Sequence, residues 1–160
     1  MTNRPTEEPT FSEAVLAQTL VLRAGVERFG LPLAAIREVF DPTSEPFPIP
    51  ASPGWLIGMI NHHGRVVPVV RLDRLLQIES ADPGRQLVLV DLGAEPLAIQ
   101  VDQIESIEEV RSEGPALHGR RRAWLRGTLL TLLDPEGLMR TIREMLARTN
   151  RAFGTPSGAS

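Results

Sequence analysis

The sequence predicts a mainly β protein: two small, interlocked β-barrels related by an internal duplication, the second truncated, with a C-terminal α-helix. Three observations carry this expectation. Short apolar runs recur at close spacing between Gly, Pro and Asn punctuation, segments of the first half reappear in the second, and the last apolar stretch changes from strand-like to helical spacing.

The duplication is read from paired segments. Gln86-Leu87-Val88-Leu89 matches Thr19-Leu20-Val21-Leu22, and each is followed by a glycine-bearing turn and another apolar strand. Ile99-Gln100-Val101-Asp102-Gln103-Ile104 falls in register with Leu31-Pro32-Leu33-Ala34-Ala35-Ile36. The two tryptophans, in Trp55-Leu56-Ile57-Gly58 and Trp124-Leu125-Arg126-Gly127, are taken as equivalent; both halves then reach Leu-Asp, at Leu72-Asp73 and Leu133-Asp134, for a repeat spacing of 61 to 69 residues. Between the tryptophan-motif glycine and that pair lie 13 residues in the first half (59–71) and 5 in the second (128–132). The second copy is therefore expected to have lost most of its hairpin.

Taken in order, residues 1–12 are rich in Pro, Thr and Glu and read as a tail, residues 13–149 as a single domain, and residues 150–160 as a second tail. Residues 15–24 form a strand, residues 25–28 a turn, and residues 29–33 its hairpin partner. Residues 34–40 are too few for an isolated helix and end at Asp41-Pro42, so they read as a short turn followed by a strand. After a Pro-rich connection over 41–48, residues 49–72 hold the stretch around which the chain is organised. Two apolar runs, 55–60 and 66–70, flank Asn61-His62-His63-Gly64, whose Asn and Gly suit the positive φ of a tight reversal. Pro68 lies inside the second run and fits an edge or a bulge, because it has no N–H for a central ladder. Leu72-Asp73-Arg74-Leu75-Leu76 is read as a helical turn capped by Asp73. The final helix takes Asp134 as N-cap and Pro135 in its first turn, and Leu138, Ile142, Met145 and Leu146 form a stripe that packs on a barrel.

A chain of 160 residues with 42% hydrophobic content can bury a substantial single-domain core. Its net charge of −3 gives no basic field for nucleic acid. The absence of cysteine excludes disulfides, thiolate metal sites and a cysteine nucleophile, and suits a reducing compartment. With no signal-peptide core and no apolar run of membrane-spanning length, the expectation is a soluble cytoplasmic chain without direct membrane insertion.

Catalytic chemistry would start from His62-His63, with His118 the remaining histidine. Neighbouring strand residues point to opposite faces, and no His-x-x-x-His or acidic cluster at ligand spacing accompanies the pair, so no metal site is expected. Gly54, Gly58 and Gly64 lack the Gly-Lys-Ser/Thr of a phosphate loop and read as turn and packing glycines. Arg120-Arg121-Arg122 with Arg126 is read as a solvated loop, partly neutralised by the acidic run over 102–109.

Ile36-Arg37-Glu38-Val39, a Pro-containing lead-in, Gly58-x-x-Asn61-x-x-Gly64, Val67-Pro68-Val69-Val70-x-Leu72 and, in the second half, Val101-Asp102 together resemble the CheW family over roughly residues 15–147. The resemblance implies two pseudo-symmetric, five-stranded, SH3-like barrels, no enzymatic activity and no cofactor. Members are scaffolds that join the kinase CheA to the cytoplasmic tips of chemoreceptors. The partners it implies are the regulatory domain of a CheA-like histidine kinase, a methyl-accepting chemoreceptor tip and other CheW-like domains, at a cytoplasmic location peripheral to membrane receptor arrays. Ile36, Glu38, Val39, Gly58, Asn61, His63, Gly64 and Val69 fall near the implied contacts. Ile36, Val39 and Val69 would offer apolar side chains to a partner, and Gly58 and Gly64 would act by leaving space.

The chain is a divergent member on this reading. The family's Asn-Leu-Arg-Gly is here Asn61-His62-His63-Gly64, and its Val-Asp-Leu-Arg is Val70-Arg71-Leu72-Asp73. A histidine at the arginine position would face Glu38, whose carboxylate would raise the imidazole pKa. The alternative for His63 is an exposed turn residue without a partner. Two other functions fit the sequence less closely: an accessory adaptor of a pilus, gliding or polar array-placement system, and a histidine-based hydrolase.

Overall fold

The computed structural model describes residues 15–79, 84–92, 95–117 and 120–152. The expected tail over 1–12, residues 153–160 of the tail expected over 150–160, and His118 lie outside them; residues 150–152 of that second tail belong to the final helix. Among the described residues, ten strands and two helices are laid out in the order β1 (Val15–Ala24), β2 (Glu27–Pro32), β3 (Ile36–Phe40), β4 (Leu56–His62), β5 (Arg65–Arg71), α1 (Leu72–Leu75), β6 (Leu87–Leu92), β7 (Glu95–Gln100), β8 (Gln103–Leu117), β9 (Arg120–Leu125), β10 (Thr128–Leu133) and α2 (Pro135–Ala152). A 3₁₀ turn over Leu33–Ala35 precedes β3, as the short turn-then-strand reading requires.

The halves exchange strands. One sheet closes as a five-stranded barrel in the order β1-β2-β10-β9-β8, and the other is an open five-stranded sheet in the order β3-β6-β7-β5-β4. Each therefore combines two strands from one half with three from the other. The joins between halves include two parallel pairings, β10 with β2 and β5 with β7, whereas each hairpin is antiparallel. Pro68 fits this layout: β5 gains its β7 partner only from Val69 onward, so the proline sits outside that ladder.

Alternation along the strands builds three packed regions. Leu20, Leu22, Phe29 and Leu31 face a core between the barrels, where they meet Val88, Val90, Leu97 and Ile99 of the second half. Each of these four second-half residues follows its first-half counterpart by 68 positions. The intervening Val21 turns into the closed barrel with Val110, Ala123, Leu125 and Leu130, while Leu87 and Leu89 turn into the open sheet with Ile60, Val67 and Val69. Strands buried on both faces read as continuous apolar runs, which is why β1 and β6 look only partly alternating in sequence. Leu138, Met139 and Ile142 of α2 are buried in the inter-barrel core, and Met145 and Leu146 pack against it, so the helical stripe serves packing as expected.

Four expectations are corrected. The second hairpin is present: β9 and β10 pair over six residues each, against seven in β4 and β5, so neither barrel is truncated. The tryptophans are not equivalent. Trp55 precedes β4 and is buried, whereas Trp124 lies near the end of β9 at 41% exposure. The backbone counterpart of Arg126-Gly127 is His63-Gly64, since both pairs occupy their hairpin turns with positive φ. Asp73 does not cap α1; that helix begins at Leu72 with Arg71 as N-cap residue, and the Asp73 carboxylate binds the Arg71 guanidinium instead. Finally, Arg120, Arg121 and Arg122 belong to β9, not to a loop.

Candidate functional site

The β4–β5 hairpin is tighter than the sequence implied. His62 still pairs with Arg65, so the turn itself is only His63-Gly64, with φ of 53° and 82°. Two consecutive left-handed residues give a turn whose twist matches that of the strands. Asn61, expected at a positive-φ position, remains in β4, and its Oδ1 accepts the Gly64 N–H at 3.0 Å. A Cβ at Gly64 would meet no described atom of this chain within 4 Å, so within the turn this glycine serves its positive φ and relieves no clash. Gly58 does leave space: a Cβ there would lie 2.3 Å from the carbonyl oxygen of Phe47, which pairs with Met59 on the outer side of β4.

The contact with Glu38 expected for His63 is made by its neighbour. His62 Nε2 lies 2.9 Å from Glu38 Oε1, and the His62 ring stacks on Phe40 with centroids 4.0 Å apart. Glu38 and Phe40 are two apart on β3 and share a face, so the strand presents one carboxylate and one ring to the same imidazole. The His62 hydrogen bond holds the Glu38 carboxyl below the ordinary carboxylate value; partial burial opposes it, and the charges of His62 and His63 add to it. β3 and β4 are opposite edges of the open sheet, so this contact spans the seam that no backbone ladder closes. His63 lies on the same side, its ring 4.2 Å from that of His62. Alternation does not apply to it because it has left the strand for the turn.

The other expected contact residues disperse. Val69 is fully buried in the open-sheet core and offers nothing to a partner, which corrects the reading of that residue. Ile36 is partly buried and packs on the inter-barrel core. Val39 is exposed, one residue from Glu38 and so on the opposite face of β3. Asn61, His63 and Gly64 share the exposed end of the hairpin. Arg71 and Asp73, the exchanged charges, form a bidentate pair with Arg71 Nε 2.9 Å from Asp73 Oδ1, and both side chains are largely buried. Their contact is structural.

Sequence reading missed an apolar band on the closed barrel. Leu16 of β1 stands opposite Arg111 of β8, Arg111 opposite Trp124 of β9, and Trp124 opposite Leu129 of β10. Directly opposed residues share a face, and Leu16, Trp124 and Leu129 are all exposed. The legible signal was Ala123 and Leu125 flanking Trp124: once these two are assigned inward, the tryptophan must point out. A separate groove of about 330 Å³ between α2 and the open sheet is lined by Trp55, Pro68, Val70, Leu97, Met139 and Leu146. Among the described residues no helix is long and apolar enough to cross a membrane.

Two strand-swapped barrels sharing one core, with an open seam and an exposed apolar band, define a small double-barrel module. A CheW-like domain profile matches residues 18–143, and the chain belongs to that family. It is 28% identical over 100 residues to a probable chemotaxis protein CheW of Rhizobium etli, covering 60% of this chain and 63% of that protein, so the match spans somewhat under two thirds of the relative's length. The fold is similar to that of the scaffolding protein TtCheW from Thermoanaerobacter tengcongensis, with a TM-score of 0.65 and 17% identity over 74% of this chain and 89% of the other.

Proposed function

We propose that this chain is a non-enzymatic adaptor of the CheW type, which couples the regulatory domain of a CheA-like histidine kinase to the cytoplasmic tips of chemoreceptors at membrane-associated arrays. The observation that carries the reading is the family match across most of the strand-swapped double barrel. A scaffold needs separate surfaces for separate partners, and exposed apolar residues occur on both sheets: Leu16, Trp124 and Leu129 on the closed barrel, and Val39 and Val66 on the open one. Interfaces of this kind draw most of their energy from a few such anchors, aromatic ones above all. The relative named as a chemotaxis protein and the neighbour named as a scaffolding protein agree with this role.

The test is a pull-down of the full chain with the kinase regulatory domain and with a receptor cytoplasmic hairpin. Both are expected to be retained. Retention of neither would overturn the reading and return the accessory pilus, gliding or placement role to first place.

A further inference from the structure

We infer that Glu38, His62 and His63 form a binding site for a divalent transition-metal ion of the zinc class, which clamps the two edge strands of the open sheet together. Against the expectation that adjacent histidines diverge, one ligand atom from each of the three residues lies within 4.8 Å of the others. Four-coordinate zinc with bonds of about 2.0–2.1 Å places its ligand atoms roughly 3.3 Å apart, so a modest contraction completes the set. The His62–Glu38 separation is already 2.9 Å. His63 is exposed and Glu38 only half-buried, so their χ torsions are free to supply the movement.

Three features hold the site in place. Stacking on Phe40 fixes the plane of the His62 ring. The left-handed backbone of His63, braced by the Asn61–Gly64 hydrogen bond, returns the second ring to the first. Glu38 arrives from the opposite edge of the sheet. Two imidazole nitrogens and one carboxylate select zinc, cobalt, nickel or copper over magnesium or calcium, and the exposed side leaves a position for water. Because the ligands come from β3 on one side and from β4 and its turn on the other, the bound ion would replace a single hydrogen bond across the seam with a coordinate link. It would stabilise the folded state by mass action.

The experiment uses tag-free, metal-stripped full-length protein. Zinc chloride alone is titrated calorimetrically, and the thermal unfolding midpoint is recorded with and without zinc and with magnesium as control. One zinc per chain with micromolar affinity is expected, with a midpoint raised by zinc and unmoved by magnesium. His63→Ala, at an exposed turn position, and Glu38→Gln should each weaken zinc binding at least about tenfold and remove the midpoint rise. His118→Ala should leave both unchanged. The site is overturned if wild type fails to bind zinc at 1 mM, about a thousandfold above the expected affinity, or if binding survives in His63→Ala with a circular dichroism spectrum like wild type. Zinc binding without a midpoint rise would overturn the clamp.

Discussion

Gly58 and Gly64 lie six positions apart in one hairpin and are needed for different reasons, which a pair of substitutions separates. At Gly58 an added Cβ runs into the Phe47 carbonyl and pushes the 41–48 connection off β4, breaking the two backbone hydrogen bonds between Phe47 and Met59. Gly58→Ala is expected to destabilise by about 2–3 kcal/mol in urea unfolding. Gly64→Ala meets no atom and carries only the left-handed backbone penalty, about 1 kcal/mol. Equal losses at the two sites would contradict this assignment. Arg71 and Asp73 make a second contrast. The two form a bidentate pair, so removing one partner strands the other in a largely buried place. Asp73→Ala should cost about 3 kcal/mol, read by the same unfolding measurement, and a loss under 1 kcal/mol would show the pair to be solvated. Residue identities at the seam were legible only in part. Pairing of Glu38 with a histidine was foreseen, but the choice between His62 and His63 depends on whether the turn has four residues or two, and the letters Asn-His-His-Gly permit both.

At the scale of elements, one carboxylate ties β1, β2 and β8 of the closed barrel together in addition to their backbone ladders. Arg23 Nη2 of β1 and Arg28 Nε of β2 each lie 2.9 Å from an oxygen of Glu105 of β8. Burial disfavours ionisation of Glu105, but the hydrogen bonds and charges of the two arginines outweigh it and hold its carboxyl below the ordinary value of 4.5. A carboxylate depressed in the folded state contributes stability that is complete above the unfolded value and is lost as pH falls through the folded one. Glu105→Gln is therefore expected to cost about 1 kcal/mol at pH 7, discounted for the partly exposed arginines. The difference from wild type should shrink as pH falls below 4.5, and a difference independent of pH would contradict the network. The elements themselves were mostly legible, because β1, β2, β3, β4, β5 and α2 announce themselves by apolar runs and by Gly, Pro and Asp boundaries. The β9–β10 hairpin was not, since the shared Trp-Leu-x-Gly letters drew Trp124 onto Trp55. Backbone geometry instead aligns Arg126-Gly127 with His63-Gly64. An alignment weighted on turns and inward-facing residues keeps the second hairpin and places Trp124 facing outward.

For the whole molecule, the duplication is more than a repeat, because each barrel is assembled from strands of both halves and the largest core lies between them. The two halves cannot bury their apolar faces separately. Residues 1–79 and 84–160 produced as separate fragments are expected to lack a cooperative unfolding transition alone and to regain one when mixed, by circular dichroism. A half that folds by itself would contradict the exchange. The repeat and its interlocking are legible in the sequence periodicity, but which strands are exchanged follows from parallel joins between residues about 30 and 100 positions apart, such as Val69 with Ala98 and Phe29 with Thr131, and no local signal encodes these. Exposed Val39 and Val66 lie on the open sheet and the apolar band on the closed barrel, two surfaces that the proposed adaptor role would use for two partners. The most direct test of that role is reconstitution of kinase autophosphorylation with receptor-bearing membranes and a CheA-like kinase. Adding this protein should bring the kinase rate under receptor control, and Trp124→Ala should weaken that control while leaving the fold intact. A kinase rate identical with and without the protein, at concentrations that saturate the membranes, would contradict the account.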